Sequence, residues 1–329
     1  MYESVFRRDL FRSQRILITG GGTGIGRCTA HELASLGAHV IIAGRNKETL
    51  LSVVREITSQ DQRCDYVVVD VRNPGKVVEA VKFVFETFGP IHGLVNNAGG
   101  QFPSPAENIS DNGWRAVIDL NLNGTWNFIK AVFAARSSLP RTNTQPLSIV
   151  NVIADIRNGK LFMAHTAAAR AGVENLTKTL SQEWGRYGVR VNCVAPGTIL
   201  GNGMSRYDDT VREQTVKTQY MNPIGRLGTE AEVSTTIAFL LSPSASYITG
   251  TTIQITGGAH LRKGMENEFI PYDPDCKIPV YFGFSRIVDE PGDKKEEDDE
   301  AKVSYFAGNK IPKGFEDLVT QYSNNNSKL

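Results

Sequence analysis

A chain of 329 residues, 40% of them hydrophobic, is long enough for one large domain with an ample core, or for one domain and an appendage. Its 36 basic and 35 acidic side chains leave a net charge of +1, so nothing electrostatic points to nucleic acid or an acidic membrane surface. Cys28, Cys64, Cys193 and Cys276 form no CxxC pair, and His31, His39, His92, His165 and His260 are equally scattered; reduced thiols in an intracellular compartment and no metal site are expected.

No apolar run approaches the length of a membrane span, and the amino end lacks the apolar core of a secretory signal. "RILITG" opens the regular structure as a short apolar run closed by glycine, and "GRCTAHELASLG" has helical periodicity. "AHVIIAG", "KETLLSVVREI", "YVVVD", "GKVVEAVKFVFETFG" and "IHGLVNNAG" continue the alternation of strand and helix. "DNGWRAVIDLNLNGTWNFIKAVFAA" reads as one long helix, followed by "PLSIVNVI", a helix through "MAHTAAARAGVENLTK", "VRVNCVAPG", "EVSTTIAFLLS" and "TTIQITGG". About seven strands joined by right-handed crossovers imply an α/β fold, a doubly wound parallel sheet of the Rossmann type. Residues 1–262 are read as this dinucleotide-binding domain and 263–329 as an extension, whose "DEPGDKKEEDDEAK" is a charged linker.

"TGGGTGIG" lies between the first strand and first helix, where Gly20 would make the tight turn, Gly24 admit a pyrophosphate and Gly26 allow close packing. The second strand ends "IIAGRN", with Arg45 and no acid to bond the ribose hydroxyls. A guanidinium suits a 2′-phosphate, so NADPH is expected over NADH. Asp70, closing "VVVD", is placed either at the adenine edge or as a cap of the helix near Pro74.

"TGGGTGIG", "NNAG" (Asn96 to Gly99), "NLNG" (Asn121 to Gly124) and "VNCVAPG" (Val191 to Gly197), in this order, resemble the short-chain dehydrogenase/reductase family. Within it, "NNAGGQFPSPAENIS" and "HTAAARAGVENLTK" resemble the peroxisomal trans-2-enoyl-CoA reductases and related bacterial citronellol or citronellal dehydrogenase-like proteins. The resemblance, over about Ser13 to His260, implies a dinucleotide held by Thr19, Gly20, Gly24, Ile25, Gly26, Asn97, Ala98 and Gly99. It implies the nicotinamide amide against Pro196, Gly197, Thr198 and Ile199, and a homotetramer built through the long helices.

The family's usual chemistry uses Asn, Ser, Tyr and Lys, and this chain departs from it. Asn121 matches, with an implied role in holding an active-site water, but Ile153 and Ala154 stand where the serine belongs. Arg170 takes the lysine position and Thr166 the tyrosine position, with His165 beside it. A frame shifted to Glu174 and Lys178 is rejected, because eight residues run roughly 12 Å along the axis; Arg170, Glu174 and Lys178 read as an i,i+4 ion-pair ladder. Asn121, His165, Thr166 and Arg170 are therefore the catalytic candidates, with Arg170 also on the cofactor ribose.

Reducing a ketone leaves an alkoxide that needs a positioned acid, whereas reducing an α,β-unsaturated thioester spreads charge into an enolate that hydrogen-bond donors can hold. The absent tyrosine thus favours NADPH-dependent reduction of the C=C bond of a trans-2-enoyl-CoA, in fatty acyl-CoA metabolism. Two other readings stand: a carbonyl or alcohol dehydrogenase, and a catalytically inactive NADP(H)-binding subunit or scaffold of a larger assembly reached through the extension. The loop "ILGNGMSRYDDTVREQTVKTQYMNPIG" faces the substrate, and its polar character sets no acyl chain length. The chain closes with Ser327, Lys328 and Leu329, a receptor-read address for the peroxisome. The competing reading docks that tail in an assembly elsewhere, such as a mitochondrion.

Overall fold

The computed structural model describes residues 6–140, 145–201, 222–261, 281 and 283. The strands are β1 (Arg15–Thr19), β2 (His39–Gly44), β3 (Arg63–Val68), β4 (Gly93–Asn96), β5 (Leu147–Val152), β6 (Val189–Pro196) and, after two short strands β7 (Ile199–Leu200) and β8 (Gly228–Thr229), β9 (Thr252–Ile255). The long strands form one seven-stranded parallel sheet in the order β3-β2-β1-β4-β5-β6-β9, and β7 pairs with β8 beside it. This is the doubly wound fold read from the strand–helix alternation.

Side chains alternate across the sheet, and each face meets its own helices. Ile16, Ile18, Val40 and Ile42 point to one face, where they pack with Leu33 of α1 (Gly24–Ser35), Leu50 and Val53 of α2 (Lys47–Thr58) and Ile237 of the last helix. Leu17, Ile41 and Ile149 point to the other, against Val81 of α3 (Pro74–Phe88), Phe128 and Val132 of α5 (Gly124–Ser137) and Leu180 of α6 (Ala164–Trp184). Both faces are covered, so β1, β2 and β5 are buried along nearly their whole length rather than at alternate residues.

The expected single helix before β5 is broken. It runs as α4 (Asp111–Ile118), a π-helical turn over Asp119–Asn123, then α5, and Asn121 lies in the widened turn. Such turns insert one residue into an α-helix and occur mostly at functional sites.

Helix starts divide into two kinds. Asn46, Asn73 and Ser110 cap α2, α3 and α4 through side-chain oxygens, and Thr229 with Glu232 forms a capping box on α7 (Glu230–Leu241). Each such cap stabilises by about 1 kcal/mol. The cap of α3 is Asn73, so Asp70 does not fill that role. By contrast α1 and α6 begin without a side-chain cap and without an acidic residue in the first turn. Their amino ends, positive by the aligned peptide dipoles, remain available to a ligand.

Among the described residues no helix is long and apolar enough to cross a membrane, and no cluster of His, Cys, Asp and Glu could hold a metal. Cys28, Cys64 and Cys193 are buried, and Cys276 lies outside the described residues.

Candidate active site

The carboxyl ends of β1, β4, β5 and β6 lie side by side, and the strand order reverses between β1 and β4. A ligand crevice is expected at this reversal. The β1–α1 turn carries Gly20 at φ 66° and Gly24 at φ 57°, both in the left-handed region. A Cβ on Gly26 would come within 2.2 Å of the Gly20 carbonyl oxygen, so helix and turn approach as only glycine permits. The turn ends at the uncapped start of α1. An open turn of backbone N–H groups fits a pyrophosphate, and no substitution in the cradle obstructs it.

Four of the expected cofactor residues, Thr19, Gly20, Asn97 and Ala98, build the wall of this crevice through their own hydrogen bonds. Thr19 Oγ1 accepts the N–H groups of Asn97 (3.1 Å) and Ala98 (3.0 Å). The Asn97 amide donates to the carbonyls of Thr19 (3.2 Å) and Gly20 (3.1 Å), tying β4 to the glycine turn. At the adenosine end Arg45 is exposed at the end of β2. The Asp70 carboxylate is gripped by Arg72, whose Nη2 donates at 2.6 Å and whose backbone N–H donates at 3.0 Å. These bonds, with Arg72 and Arg45 charges beside it, hold Asp70 below the usual carboxylate range.

At the nicotinamide end the backbone after β6 is fixed on two sides. Gly197 N–H donates to Ile255 at 2.9 Å, and Gly228 N–H donates to Thr198 at 3.1 Å, where Ile199 begins β7. Pro196 accepts the N–H of Asp155 (3.1 Å), which brings the loop after β5 to the same edge. Ile153, standing for the family's serine, is buried and supplies no hydroxyl.

Asn121 is fully buried, and its Nδ2 donates to Gly100 and Val117, both at 2.8 Å, while its Oδ1 accepts from Gly100 N–H at 3.2 Å. The side chain therefore clamps the loop after β4 to α4, and the π-turn is what presents it there.

Arg170 crosses from α6 to the end of β5, where Nη1 donates to the Val152 carbonyl at 2.5 Å. A Cβ on Gly99 would meet Nη2 at 2.3 Å and Asn121 Oδ1 at 2.8 Å, so the guanidinium packs against Gly99 as closely as only glycine permits. Burial pushes its pKa down to about 10, which leaves it a fixed cation at neutral pH. The ladder expected through Arg170 is only half present. Glu174 pairs with Lys178 (3.3 Å) and accepts from Thr252 of β9 (3.1 Å), while Arg170 turns toward Val152 instead, because the buried carbonyl there needs a donor.

His165 and Thr166, in the first turn of α6, are both fully buried. His165 Nδ1 accepts the Thr166 N–H at 2.8 Å. Burial outweighs a weaker upward pull from Met163 and lowers the imidazole below its ordinary value. The neutral ring thus carries its proton on Nε2. The rings of Phe102 and His165 stand perpendicular at 4.5 Å between centroids, a contact not legible in the sequence because Phe102 is far off in the chain.

Three buried polar atoms here have no hydrogen-bond partner among the described residues: His165 Nε2, Thr166 Oγ1 and Arg170 Nε. All three sit on α6, at and beside the positions of the absent tyrosine and lysine. Orphaned buried donors are rare and costly, and a cluster of them marks where a ligand completes the hydrogen bonding. Of the loop expected to face the substrate, residues 202–221 lie outside the described residues.

Comparison with known proteins agrees with this geometry. A family model described as enoyl-(acyl carrier protein) reductase matches residues 20–260. A probable 2,4-dienoyl-CoA reductase, (2E)-enoyl-CoA-producing, of Bacillus subtilis (strain 168) is 40% identical over 248 residues, covering 75% of this chain and 96% of that protein. The peroxisomal 2,4-dienoyl-CoA reductase, (3E)-enoyl-CoA-producing, of Danio rerio is 34% identical over 269 residues, 81% of this chain and 88% of that one. Among solved structures, the citronellol catabolism dehydrogenase (AtuB) of Pseudomonas aeruginosa PAO1 is 42% identical with a TM-score of 0.69, covering 79% of this chain and 100% of that chain.

Proposed function

This chain belongs to the short-chain dehydrogenase/reductase family of oxidoreductases, which use a nicotinamide dinucleotide, and from that premise we propose that it reduces a conjugated C=C bond of a fatty acyl-CoA thioester with NADPH. The substrate class that fits best is a 2,4-dienoyl-CoA, of which the trans-2-enoyl-CoA expected from the resemblance is the singly unsaturated analogue. The observation that carries the reading is the trio of orphaned donors on α6.

A bound nicotinamide supplies a hydride. The work left to the protein is to hold the charge that the hydride displaces. In a dienoyl thioester, hydride addition to the terminal carbon of the conjugated system moves electrons through both double bonds onto the thioester oxygen. His165 Nε2–H and Thr166 Oγ1–H are neutral donors beside the positive amino end of α6, suited to that developing oxyanion. A neutral imidazole is the better arrangement, because it donates without adding buried charge. Arg170 is held by Val152 and Gly99, and its unpartnered Nε–H and fixed charge would serve the ribose of a bound cofactor. Reprotonation of the dienolate from water at its α-carbon gives a 3-enoyl thioester, and at its γ-carbon a 2-enoyl thioester; the relatives' names include both products.

Carbonyl reduction fits less well. It needs a proton delivered to oxygen, and threonine and a neutral, depressed imidazole are poor acids for it. NADPH preference is supported by exposed Arg45 at the end of β2. A homotetramer is part of the proposal. The exposed Trp114 on α4 and Trp126 on α5, and the half-buried edge strand β9, are surfaces that copies of the chain would cover.

The test is steady-state oxidation of NADPH with 2,4-hexadienoyl-CoA, 2-hexenoyl-CoA and a matched enone or ketone. Dienoyl turnover is expected to exceed the others. Turnover of the ketone alone would overturn the reading, and turnover of none would transfer the chain to a binding or scaffold role.

A further inference from the structure

Three of the large apolar side chains left open to solvent converge on the catalytic helix. Phe102, on the loop after β4, is 39% exposed, and Leu161 and Phe162, on the loop after β5, are 80% and 50% exposed. Their loops are joined: Ser104 N–H donates to the Phe162 carbonyl at 2.9 Å. The second loop is also pinned on its far side, where Asn158 Nδ2 donates to the His260 carbonyl at 3.1 Å. Phe162 sits at φ 61°, a conformation that a bulky residue adopts only where its surroundings fix it. The Phe102 ring is wedged over α4, so close that a Cβ on Gly113 would stand 2.9 Å from its Cζ. The same ring also stands perpendicular to that of His165.

The patch therefore continues the active site outward: buried donors at His165 and Thr166, then Phe102, then the Leu161–Phe162 lip. Resting on the functional reading above, we propose that this lip seats the saturated hydrocarbon tail of the acyl-CoA, beyond the double bond being reduced, and so sets chain-length preference. A thioester oxygen at His165 Nε2 and Thr166 Oγ1 leaves the alkyl end to run along whatever wall adjoins them. The wall that adjoins His165 is apolar, held in place from both loops, and open. An alkyl tail removes its own surface and that of all three side chains from water together. A protein partner would need a patch that extends away from the buried donors, and this one ends on them.

The experiment uses the full chain and compares kcat/KM for ten-carbon and six-carbon 2,4-dienoyl-CoA. A methylene wholly between apolar groups is worth about fourfold, and about twofold at half burial. Four extra methylenes on this half-open lip then give a ratio of roughly tenfold or more in the unmodified enzyme. Leu161→Ser with Phe162→Ser should bring the ratio close to one. Phe102→Leu should keep most of it, and Phe102→Ser should lose it. An unaltered ratio in the serine variants overturns the proposal, as does an equal loss on both substrates. If those variants instead change the oligomeric state in light scattering with the ratio preserved, the patch is an interface between copies and the proposal is wrong. An unmodified enzyme that reduces both substrates with a ratio near one refutes the seat alone, whereas one that reduces neither refutes the underlying reading as well.

Discussion

His165→Asn separates the proposed donor role of this imidazole from its structural one. The asparagine Oδ1 can take over from Nδ1 and accept the Thr166 N–H, now bonded at 2.8 Å, but the shorter side chain cannot reach the place of Nε2. Removing one oxyanion donor costs about 10²–10³ in kcat. Here Thr166 Oγ1 and the uncapped start of α6 remain, which places the expected loss at the lower end, about 10²-fold. The void left beside Phe102 should cost on the order of 1–2 kcal/mol, a fall of several degrees in Tm that leaves the protein folded at 25 °C. His165→Gln, whose amide reaches further, should restore much of kcat. Stopped-flow reduction of 2,4-hexadienoyl-CoA under saturating NADPH reads the chemical step directly. A value for His165→Asn within threefold of the unmodified enzyme would refute the donor assignment.

The same residue fixes a pH dependence. Its folded pKa lies below the ordinary imidazole value of about 6.5. The folded protein then binds this proton less readily than the unfolded chain. Its stability contribution is complete above pH about 6.5 and declines as pH falls through the lowered folded value.

Arg45→Ala should narrow the preference for NADPH over NADH by weakening NADPH alone, read by calorimetric titration; equal affinities in the unmodified protein would remove the 2′-phosphate assignment. Arg170→Ala should weaken NADPH binding at least tenfold while Glu174→Ala leaves it within twofold, because only the former meets the Gly99 backbone and Val152; equal effects in fluorescence titration would contradict the frame that aligns Thr166 and Arg170 with the family's tyrosine and lysine. Ser327 to Leu329, outside the described residues, should direct an amino-terminally tagged protein to peroxisomes, with import lost on their removal; a distribution indifferent to the deletion would rule the address out.

The fold was legible because strands such as β1, β2 and β4 are short apolar runs closed by turn residues, and the segments between them have helical period. Such alternation leaves a parallel sheet covered on both faces as the economical solution. The glycine turn was legible for a local reason too, since the positive φ of Gly20 and Gly24 restricts those positions. What the sequence hid depends on long-range packing or on exact helix geometry. Nothing in "VIDLNLNG" distinguishes a π-turn from an α-turn, yet that turn decides that Asn121 clamps Gly100. The expected ladder through Arg170 obeyed local spacing, and a carbonyl at the end of β5 outcompeted it. Asp70 was hidden in plainer view: an arginine two residues on in "DVR" claims its carboxylate through a local turn.

The replacements on α6 make sense together rather than one by one. A tyrosine and lysine four residues apart form a proton relay, since both can titrate. Thr166 is too weakly acidic to join one, and Arg170, even with burial pushing it down to about 10, holds its proton at neutral pH. Ile153, buried at the same edge, removes the serine hydroxyl as well. What remains at these helix positions is a pair of neutral donors, His165 and Thr166, a fixed cation at Arg170 and the positive end of a 21-residue helix. Such a site stabilises charge without relaying protons. A reaction whose charge is delocalised onto a thioester can use it, because the proton is added at carbon after hydride transfer and need not come from a residue beside the oxygen. A reaction that must protonate an alkoxide in the hydride step cannot. Under the proposed function, the missing tyrosine selects for conjugated C=C bonds, and turnover of a dienoyl-CoA without turnover of a matched ketone is the result that this reading requires.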